Sequence, residues 1–245
     1  WLLRFVGVFC PPSVIILKNK GKFTMETIQN VVIRFSGDSG DGMQLTGTQF
    51  SNTSALMGND LATFPDFPAE IRAPQGTVAG VSGFQVNFGS SEISTPGDEP
   101  DVLVAMNPAA LKANVSSLKK GGTIIVNKDS FTDLNFKKAG YEKSPIGTHE
   151  RESYQIIEAN ITSQTVEALK DLDLDAKSKA RCKNFYALGM TYFMFSRELD
   201  ATEKWVEQKF GKKPVLVEAN VRALKAGWNF AETIEASITK YEVKP

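Results

Sequence analysis

Histidine and cysteine are scarce in this chain of 245 residues, which has one histidine, His149, and two cysteines, Cys10 and Cys182. A Ser-His-Asp triad or a site with two histidine ligands is therefore nearly excluded, and His149 lies in a polar stretch typical of a surface loop. No Cys-x-x-Cys motif occurs, so the chain alone cannot hold an iron–sulfur cluster or a cysteine-based zinc ion. The scarcity of cysteine also favours a reducing, cytoplasmic location.

The sequence lacks an excess of charge of either sign, with 28 basic and 28 acidic residues. This balance argues against a nucleic-acid-binding surface.

The sequence also lacks a long hydrophobic run. Residues 1–17 are apolar but are interrupted by Arg4 and by Pro11 and Pro12, and a membrane span needs about 20 apolar residues. We interpret residues 1–24 as an extension outside the fold and predict no membrane association.

Short apolar runs alternate with helical patterns over the first half of the chain. The pattern predicts strands at residues 30–36, 61–64, 78–88, 101–106 and 122–127, and helices at 43–57 and from Asn107-Pro108 onward, with a proline-rich loop at 65–74. This alternation predicts an α/β fold with a Rossmann-like, mostly parallel sheet and helices on both faces.

The second half of the chain, from Asn160, has a helical pattern. Helices are predicted at residues 179–199, 201–210 and 215–240, forming a C-terminal helical segment. The first of these is apolar over much of its circumference, which is compatible with a core helix, a subunit interface or both.

A glycine-rich turn, Gly-Asp-Ser-Gly-Asp-Gly at residues 37–42, connects the first predicted strand to the first predicted helix. It is not a P-loop, because Thr48 stands where that motif has lysine, and its glycine order differs from the dinucleotide fingerprint. Gly40-Asp41-Gly42 matches the opening of a thiamine-diphosphate motif, but no asparagine follows between Asn59 and Asn87. Ser39 lacks the frame of a nucleophile elbow.

Two interpretations of this turn remain open. Gly37, Gly40 and Gly42 would shape the turn, and the backbone N–H groups of Gly42, Met43 and Gln44 would bind an anion at the helix N-terminus. Alternatively, the glycines only allow close packing of the strand against the helix. Arg72, in the proline-rich loop, would either pair with Glu70 or Asp66 or bind a carboxylate or phosphate directly.

Several motifs together resemble one family. Residues 37–47, Phe64–Arg72, Asp101–Ala110, Gly121–Val126, Lys183–Gly189, Phe210–Lys213 and Glu218–Gly227 are similar, in this order, to the γ-type domain of 2-oxoacid:ferredoxin oxidoreductases. The similarity is greatest to the form fused to the α part, as in 2-oxoglutarate:ferredoxin oxidoreductase. One departure is Ala73-Pro74, where the family usually has two glycines.

The resemblance implies a subunit or domain of a CoA-dependent enzyme that converts a 2-oxoacid, expected to be 2-oxoglutarate, to acyl-CoA and CO2 and reduces ferredoxin. Such an enzyme acts on an oxo group with an iron–sulfur protein as acceptor. Thiamine diphosphate, magnesium and iron–sulfur clusters belong to the holoenzyme, and this chain alone is expected to be inactive and to bind none of them. Its implied partners are an α domain of the same polypeptide, a thiamine-binding β subunit and ferredoxin.

The implied site on this chain is a CoA phosphate contact at the turn, formed by Gly37, Gly40, Gly42, Met43, Gln44 and Arg72, with no catalytic residue and no metal ligand. The implied domain covers residues 25–240, and residues 241–245 would begin a linker to a further α domain. The alternative is a free-standing Rossmann-like nucleotide-binding or interaction module.

Overall fold

A computed structural model describes residues 25–70, 73–147, 153–235 and 239–244, with side chains from residue 28 onward. The predicted extension at residues 1–24, and also Arg72 and His149, lie outside the described residues. The strands are β1 (Met25–Thr27), β2 (Asn30–Asp38), β3 (Asp60–Asp66), β4 (Val81–Gly89), β5 (Val102–Ala105), β6 (Thr123–Asn127), β7 (Gln155–Ala159) and β8 (Lys240–Glu242). The helices are α1 (Met43–Leu56), α2 (Pro108–Asn114), α3 (Asp133–Lys138), α4 (Ile161–Ala168), α5 (Ala176–Arg181), α6 (Lys183–Met194), α7 (Asp200–Phe210) and α8 (Pro214–Thr233).

Six strands form the main sheet in the order β3-β4-β2-β5-β6-β7. The strands β2, β5, β6 and β7 run parallel, whereas β4 is antiparallel to both of its neighbours, β2 and β3. Residues in β5 and β6 are all buried, as expected for parallel strands covered on both faces. The predicted mostly parallel α/β sheet with helices on both faces is confirmed.

One face of the sheet, which we call the helical face, is apolar and packs against α1 and α6. Phe50 of α1 lies 5.7 Å from Phe35 of β2 and 5.2 Å from Phe88 of β4, measured between ring centroids. Helix α8 crosses α6 so closely that a Cβ added at Gly227 would lie 1.9 Å from the carbonyl oxygen of Tyr186. Side chains in α6 are almost all buried in this core, which confirms the core interpretation of the apolar segment.

The opposite face, which we call the polar face, carries hydrogen-bonding side chains at β2, β3 and β4, whereas its β5 and β6 residues form a second apolar cluster with α2. Arg34 of β2 donates to Asn114 of α2, to Gln85 of β4 (3.3 Å) and to the carboxylate of Asp66. The Gln85 amide donates in turn to the carbonyl oxygens of Pro96 and Gly97 (2.9 and 2.6 Å). Arg34 therefore joins the two antiparallel strands at the edge to the parallel part of the sheet.

Four predicted elements differ from the observed ones. The strand predicted at 78–88 begins at Val81, because Val78–Gly80 form a 3-10 turn. The proline-rich loop begins later than expected, because β3 extends to Asp66 and tolerates Pro65 as an edge strand. The helix predicted at 179–199 is two helices that meet at Cys182, and that at 215–240 ends at Thr233.

The chain after α8 returns to the beginning of the described residues. There β8 pairs in parallel with β1, and Met25 lies opposite Lys240. Residues 241 and 242, assigned to a linker from the sequence, belong to this strand pair. Among the helices within the described ranges, none combines the length and the apolar character that crossing a membrane requires.

Candidate functional site

The glycine turn lies where the connections of the sheet diverge. After β2 the chain passes through α1 to β3 on one side of the sheet, whereas after β5 it passes through α2 to β6 on the other. The carboxyl ends of β2 and β5 therefore border a crevice, the position at which open α/β sheets bind ligands. The residues at this crevice come from the turn, from Asn107 after β5, and from Lys183 and Asn184 at the start of α6.

Two glycines of the turn are required by its geometry. Gly42 precedes α1 with φ of 76°, in the left-handed region, and a Cβ there would lie 2.7 Å from Nδ2 of Asn184. A Cβ at Gly37 would lie 2.8 Å from Oδ2 of Asp41 and 3.1 Å from Cβ of Met106. At Gly40 the nearest atom would be 3.9 Å away. Close packing thus explains Gly37 and Gly42, whereas a Cβ at Gly40 would make only an ordinary contact with the side chain of Gln75.

Two aspartates close the turn upon itself. The N–H of Asp41 donates to the carbonyl oxygen of Asp38 (2.8 Å), and the N–H of Asp38 donates to Oδ2 of Asp41 (3.1 Å). The Asp41 carboxylate also forms an ion pair with Nζ of Lys183 (2.8 Å), and both side chains are largely buried. Lys183 therefore anchors the start of α6 to the turn and neutralises one of its two negative charges.

Burial raises the pKa of Asp38 above its ordinary value, and the neighbouring Asp41 charge adds to this effect. Hydrogen bonds to the Asp38 carboxylate from the N–H of Gly76 (3.1 and 3.2 Å) and from the Asn107 side chain act in the opposite direction. Asn107 also caps α2 by accepting from the N–H of Ala110 (2.8 Å), as its position before Pro108 predicted.

Donors remain at the N-terminus of α1. The first N–H of this helix that finds an intrahelical acceptor is that of Thr46, which donates to Gly42 (3.0 Å). The N–H groups of Met43 and Gln44 precede it, and no acceptor contacts them among the residues that the structure describes. The amide of Asn184 lies next to Gly42, and this residue is 7% exposed.

The side chains of the predicted site residues have structural positions. Met43 is buried in the core, and the Gln44 amide donates to the carbonyl oxygens of Gly83 (2.8 Å) and Asp66 (3.1 Å), bracing α1 against the sheet edge. Arg72 lies outside the described residues. Asp66, suggested from the sequence as a partner of Arg72, pairs with Arg34.

No role was predicted for Lys183 or Asn184 from the sequence, although both belong to the motif at Lys183–Gly189 that resembles the family. Within the described ranges, no cluster of three or more histidine, cysteine or acidic side chains is arranged to hold a metal ion. Two surface grooves lie away from the turn, one between α7 and α8 and one between α1 and α7.

The family described as pyruvate ferredoxin/flavodoxin oxidoreductase matches residues 32–230, from the first parallel strand to the end of α8. The chain belongs to this family. A member from Mycobacterium tuberculosis, the 2-oxoglutarate oxidoreductase subunit KorA, is 52% identical over 220 residues, which cover 90% of this chain and 34% of KorA.

Two solved structures of oxidoreductases share the fold. A 2-oxoglutarate:ferredoxin oxidoreductase from Magnetococcus marinus, with 2-oxoglutarate, coenzyme A and succinyl-CoA bound, has a TM-score of 0.66 and 26% identity, over 88% of this chain and 33% of its own. A keto/oxoacid ferredoxin oxidoreductase gamma subunit from Geobacter sulfurreducens has a TM-score of 0.61 and 22% identity, over 84% of this chain and 98% of its own. The chain thus spans about a third of the length of KorA and of the Magnetococcus protein.

Proposed function

We propose that this chain is the γ-type domain of a CoA-dependent 2-oxoacid:ferredoxin oxidoreductase that uses 2-oxoglutarate in the cytoplasm. In this reaction 2-oxoglutarate loses CO2, its succinyl group passes to CoA, and the two electrons released reduce ferredoxin. The observation that carries the proposal is the 52% identity to the 2-oxoglutarate oxidoreductase subunit KorA across nine-tenths of the chain. The Magnetococcus relative, described with 2-oxoglutarate and succinyl-CoA, supports the same substrate.

The described residues do not fit the redox and thiamine cofactors of such an enzyme. Cys182 is buried, and its surroundings raise the pKa of its thiol to about 11, which disfavours the thiolate that ligates iron. Asp41, the one match to a thiamine-diphosphate magnesium ligand, is bound by Lys183. We therefore assign thiamine diphosphate, magnesium and the clusters to an α domain and a thiamine-binding β subunit, which pass electrons to ferredoxin.

The part that we assign to this chain is a contact with a phosphate of CoA at the glycine turn. The N–H groups of Met43 and Gln44 supply donors at the positive end of α1, and Lys183, whose ammonium pairs with Asp41, offsets one negative charge of the turn that would otherwise repel a phosphate. Asn184 adds a nearly buried amide next to Gly42. Gly37, Gly40 and Gly42 give the phosphate access to the backbone, and Arg72 is the further cation proposed for this site.

The decisive experiment is coexpression with the α and β parts, followed by CoA-dependent reduction of a viologen dye with several 2-oxoacids. We expect 2-oxoglutarate to support the highest rate and omission of CoA to abolish it. A stable assembly that reduces the dye with none of the 2-oxoacids would contradict the proposal.

Lys183→Arg and Lys183→Met test the phosphate contact in the same assay. We expect Lys183→Met to raise KM for CoA about tenfold with a smaller change in kcat, and Lys183→Arg to restore most of the affinity. Lys170→Met is the matched control, because Lys170 pairs with Glu167 (2.6 Å) on the exposed surface. An unchanged KM for CoA in Lys183→Met would leave only the packing interpretation of the turn.

A further inference from the structure

A groove between α1 and α7 leaves apolar side chains exposed. Its volume is about 440 Å³, and it is lined by Ala55 and Leu56 of α1, by Ala201 and Trp205 of α7, and by three polar residues of α1, Gln49, Asn52 and Thr53. Leu56 is 74% exposed, the most of the large hydrophobic side chains described. The groove therefore presents the kind of surface that another protein segment covers.

A buried arginine that is short of acceptors contacts Met57, the residue that follows Leu56 of the groove. Arg197 precedes α7 and is 2% exposed, with its guanidinium carbon 4.8 Å from the centroid of the Phe88 ring. Its Nη1 donates to the sulfur of Met57 (2.9 Å), while Nε and Nη2 are closed to solvent and have no hydrogen-bond partner in the described part of the chain. Burial lowers the pKa of Arg197 to about 10, so it stays charged at neutral pH.

Met57 connects the two features. It caps the C-terminus of α1 directly after Leu56 and is itself 36% exposed. A methionine side chain has three rotatable bonds and repacks readily, so rotation of Met57 would open the guanidinium to a group arriving from the groove. A buried guanidinium with two unused donors is best satisfied by a carboxylate.

We infer that the groove between α1 and α7 is the docking surface for a segment of the α part of the oxidoreductase that carries an acidic side chain among apolar ones. The apolar side chains would cover Leu56 and Trp205, and the carboxylate would displace Met57 and bind Arg197. This inference rests on the proposed function.

The relatives support this choice of occupant. KorA and the Magnetococcus protein are about three times as long as the matched domain, whereas in the Geobacter protein the same fold is nearly a whole chain that is named a subunit. A domain that occurs both within a longer chain and as a separate subunit needs a surface that holds it to the rest of the enzyme without a covalent link.

The test measures assembly of this chain with the separately supplied α and β parts. We expect Leu56→Asp to raise the dissociation constant at least tenfold. Leu134→Asp, on α3, is the matched control because Leu134 is 64% exposed and far from the groove in sequence, and it should leave the constant unchanged. Hydrogen exchange at residues 49–57 and 200–206 should slow on assembly.

Arg197→Met separates docking from a purely structural role. We expect it to weaken assembly about tenfold while keeping or raising the unfolding temperature of the free chain, because the unpaired charge is removed. A variant that melts lower but assembles normally would overturn the inference, as would equal binding by Leu56→Asp and Leu134→Asp. Protection of the groove by a second copy of the chain, seen as a concentration-dependent dimer, would also overturn it.

Assembly and activity of the wild-type enzyme distinguish the two proposals. If the wild-type chain assembles and reduces viologen with CoA but Leu56→Asp assembles equally well, the docking inference fails and the proposed function stands. If the wild-type chain does not bind the α and β parts at all, both fail.

Discussion

Two arginines, one largely and one fully buried, lie on opposite faces of the same sheet and have opposite surroundings. Arg34, on the polar face, donates to Asn114, Gln85 and Asp66. Arg197, on the helical face, contacts a sulfur and an aromatic ring. Burial of a guanidinium therefore does not by itself indicate its role. Acceptors from three elements make Arg34 a support of the fold, whereas Nε and Nη2 of Arg197 find no acceptor among the described residues, so its charge is a cost to the fold.

The largest expected effect is on the helical face, where stability depends on close packing. Gly227→Ala places a methyl group 1.9 Å from the carbonyl oxygen of Tyr186, so α8 must move away from α6. We expect a loss of about 3 kcal/mol in the free energy of unfolding, which exceeds the roughly 1 kcal/mol that alanine adds to a helix. Chemical denaturation measures it, with the exposed Glu232→Ala as control. A more stable Gly227→Ala chain would show that the helices separate easily.

The second prediction concerns the arginines themselves. We expect Arg34→Met to lower the free energy of unfolding by about 2 kcal/mol, because three acceptors lose their donor and the antiparallel strands lose their link to the rest of the sheet. The loss is limited because Asp66 is 40% exposed and can be hydrated. Arg197→Met should be neutral or stabilising by about 1 kcal/mol. Urea unfolding of the two variants of the free chain makes the comparison directly. Equal losses in both would remove the distinction between the two faces.

The third prediction concerns the turn, where the two faces meet. Gly42→Ala forces a side chain into left-handed backbone and against Asn184, and we expect a loss of about 1.5 kcal/mol. Gly40→Ala should change stability by less than about 0.5 kcal/mol, because its Cβ would make only an ordinary contact with the side chain of Gln75. Thermal unfolding compares the pair, and similar losses in both would contradict the packing account. Because Gly42 is needed for packing, its substitution cannot by itself reveal a ligand.

The smallest effect should come from Asp38, and it depends on pH. Because the folded-state pKa of Asp38 lies above its ordinary value of 3.8, the folded chain holds this proton more tightly than the unfolded chain. This favourable contribution is present at low pH and is lost as the pH rises through the folded-state pKa. Asp38→Asn should therefore raise the unfolding temperature more at pH 7 than at pH 3.5. An equal change at both pH values would exclude a raised pKa as the cause.

Local chemistry made three of the four parallel strands of the main sheet, β2, β5 and β6, predictable, whereas β7 was not predicted. The buried runs of β5 and β6 and the Asn107-Pro108 helix start are visible in a few consecutive residues. The insertion of β4 between β2 and β3 could not be predicted, because neighbouring residues do not reveal which distant strand a strand pairs with. The break at Cys182 was missed because the helical pattern runs through it. The N-cap that Asp175 forms with the N–H of Ser178 (2.9 Å) marks only the start of α5.

The same contrast between local and long-range features applies to the candidate site. The turn and the donors of α1 could be located from the order of strand, glycines and helix. The pairing of Asp41 with Lys183 could not, because it depends on how α6 returns to the sheet. In the sequence, two aspartates occur at the proposed anion site. In the structure, one of them, Asp41, is neutralised by Lys183 from the second half of the chain.

The parallel pair of β1 and β8 has an evolutionary consequence. It places the first and last described strands side by side, so polypeptide can be added before one or after the other at a single place on the surface without threading through the sheet. A domain with this geometry can be joined to another chain, or separated from it, as one unit. Gene fusion or fission at this place leaves its core untouched, which matches the occurrence of the fold as a third of one relative and nearly the whole of another.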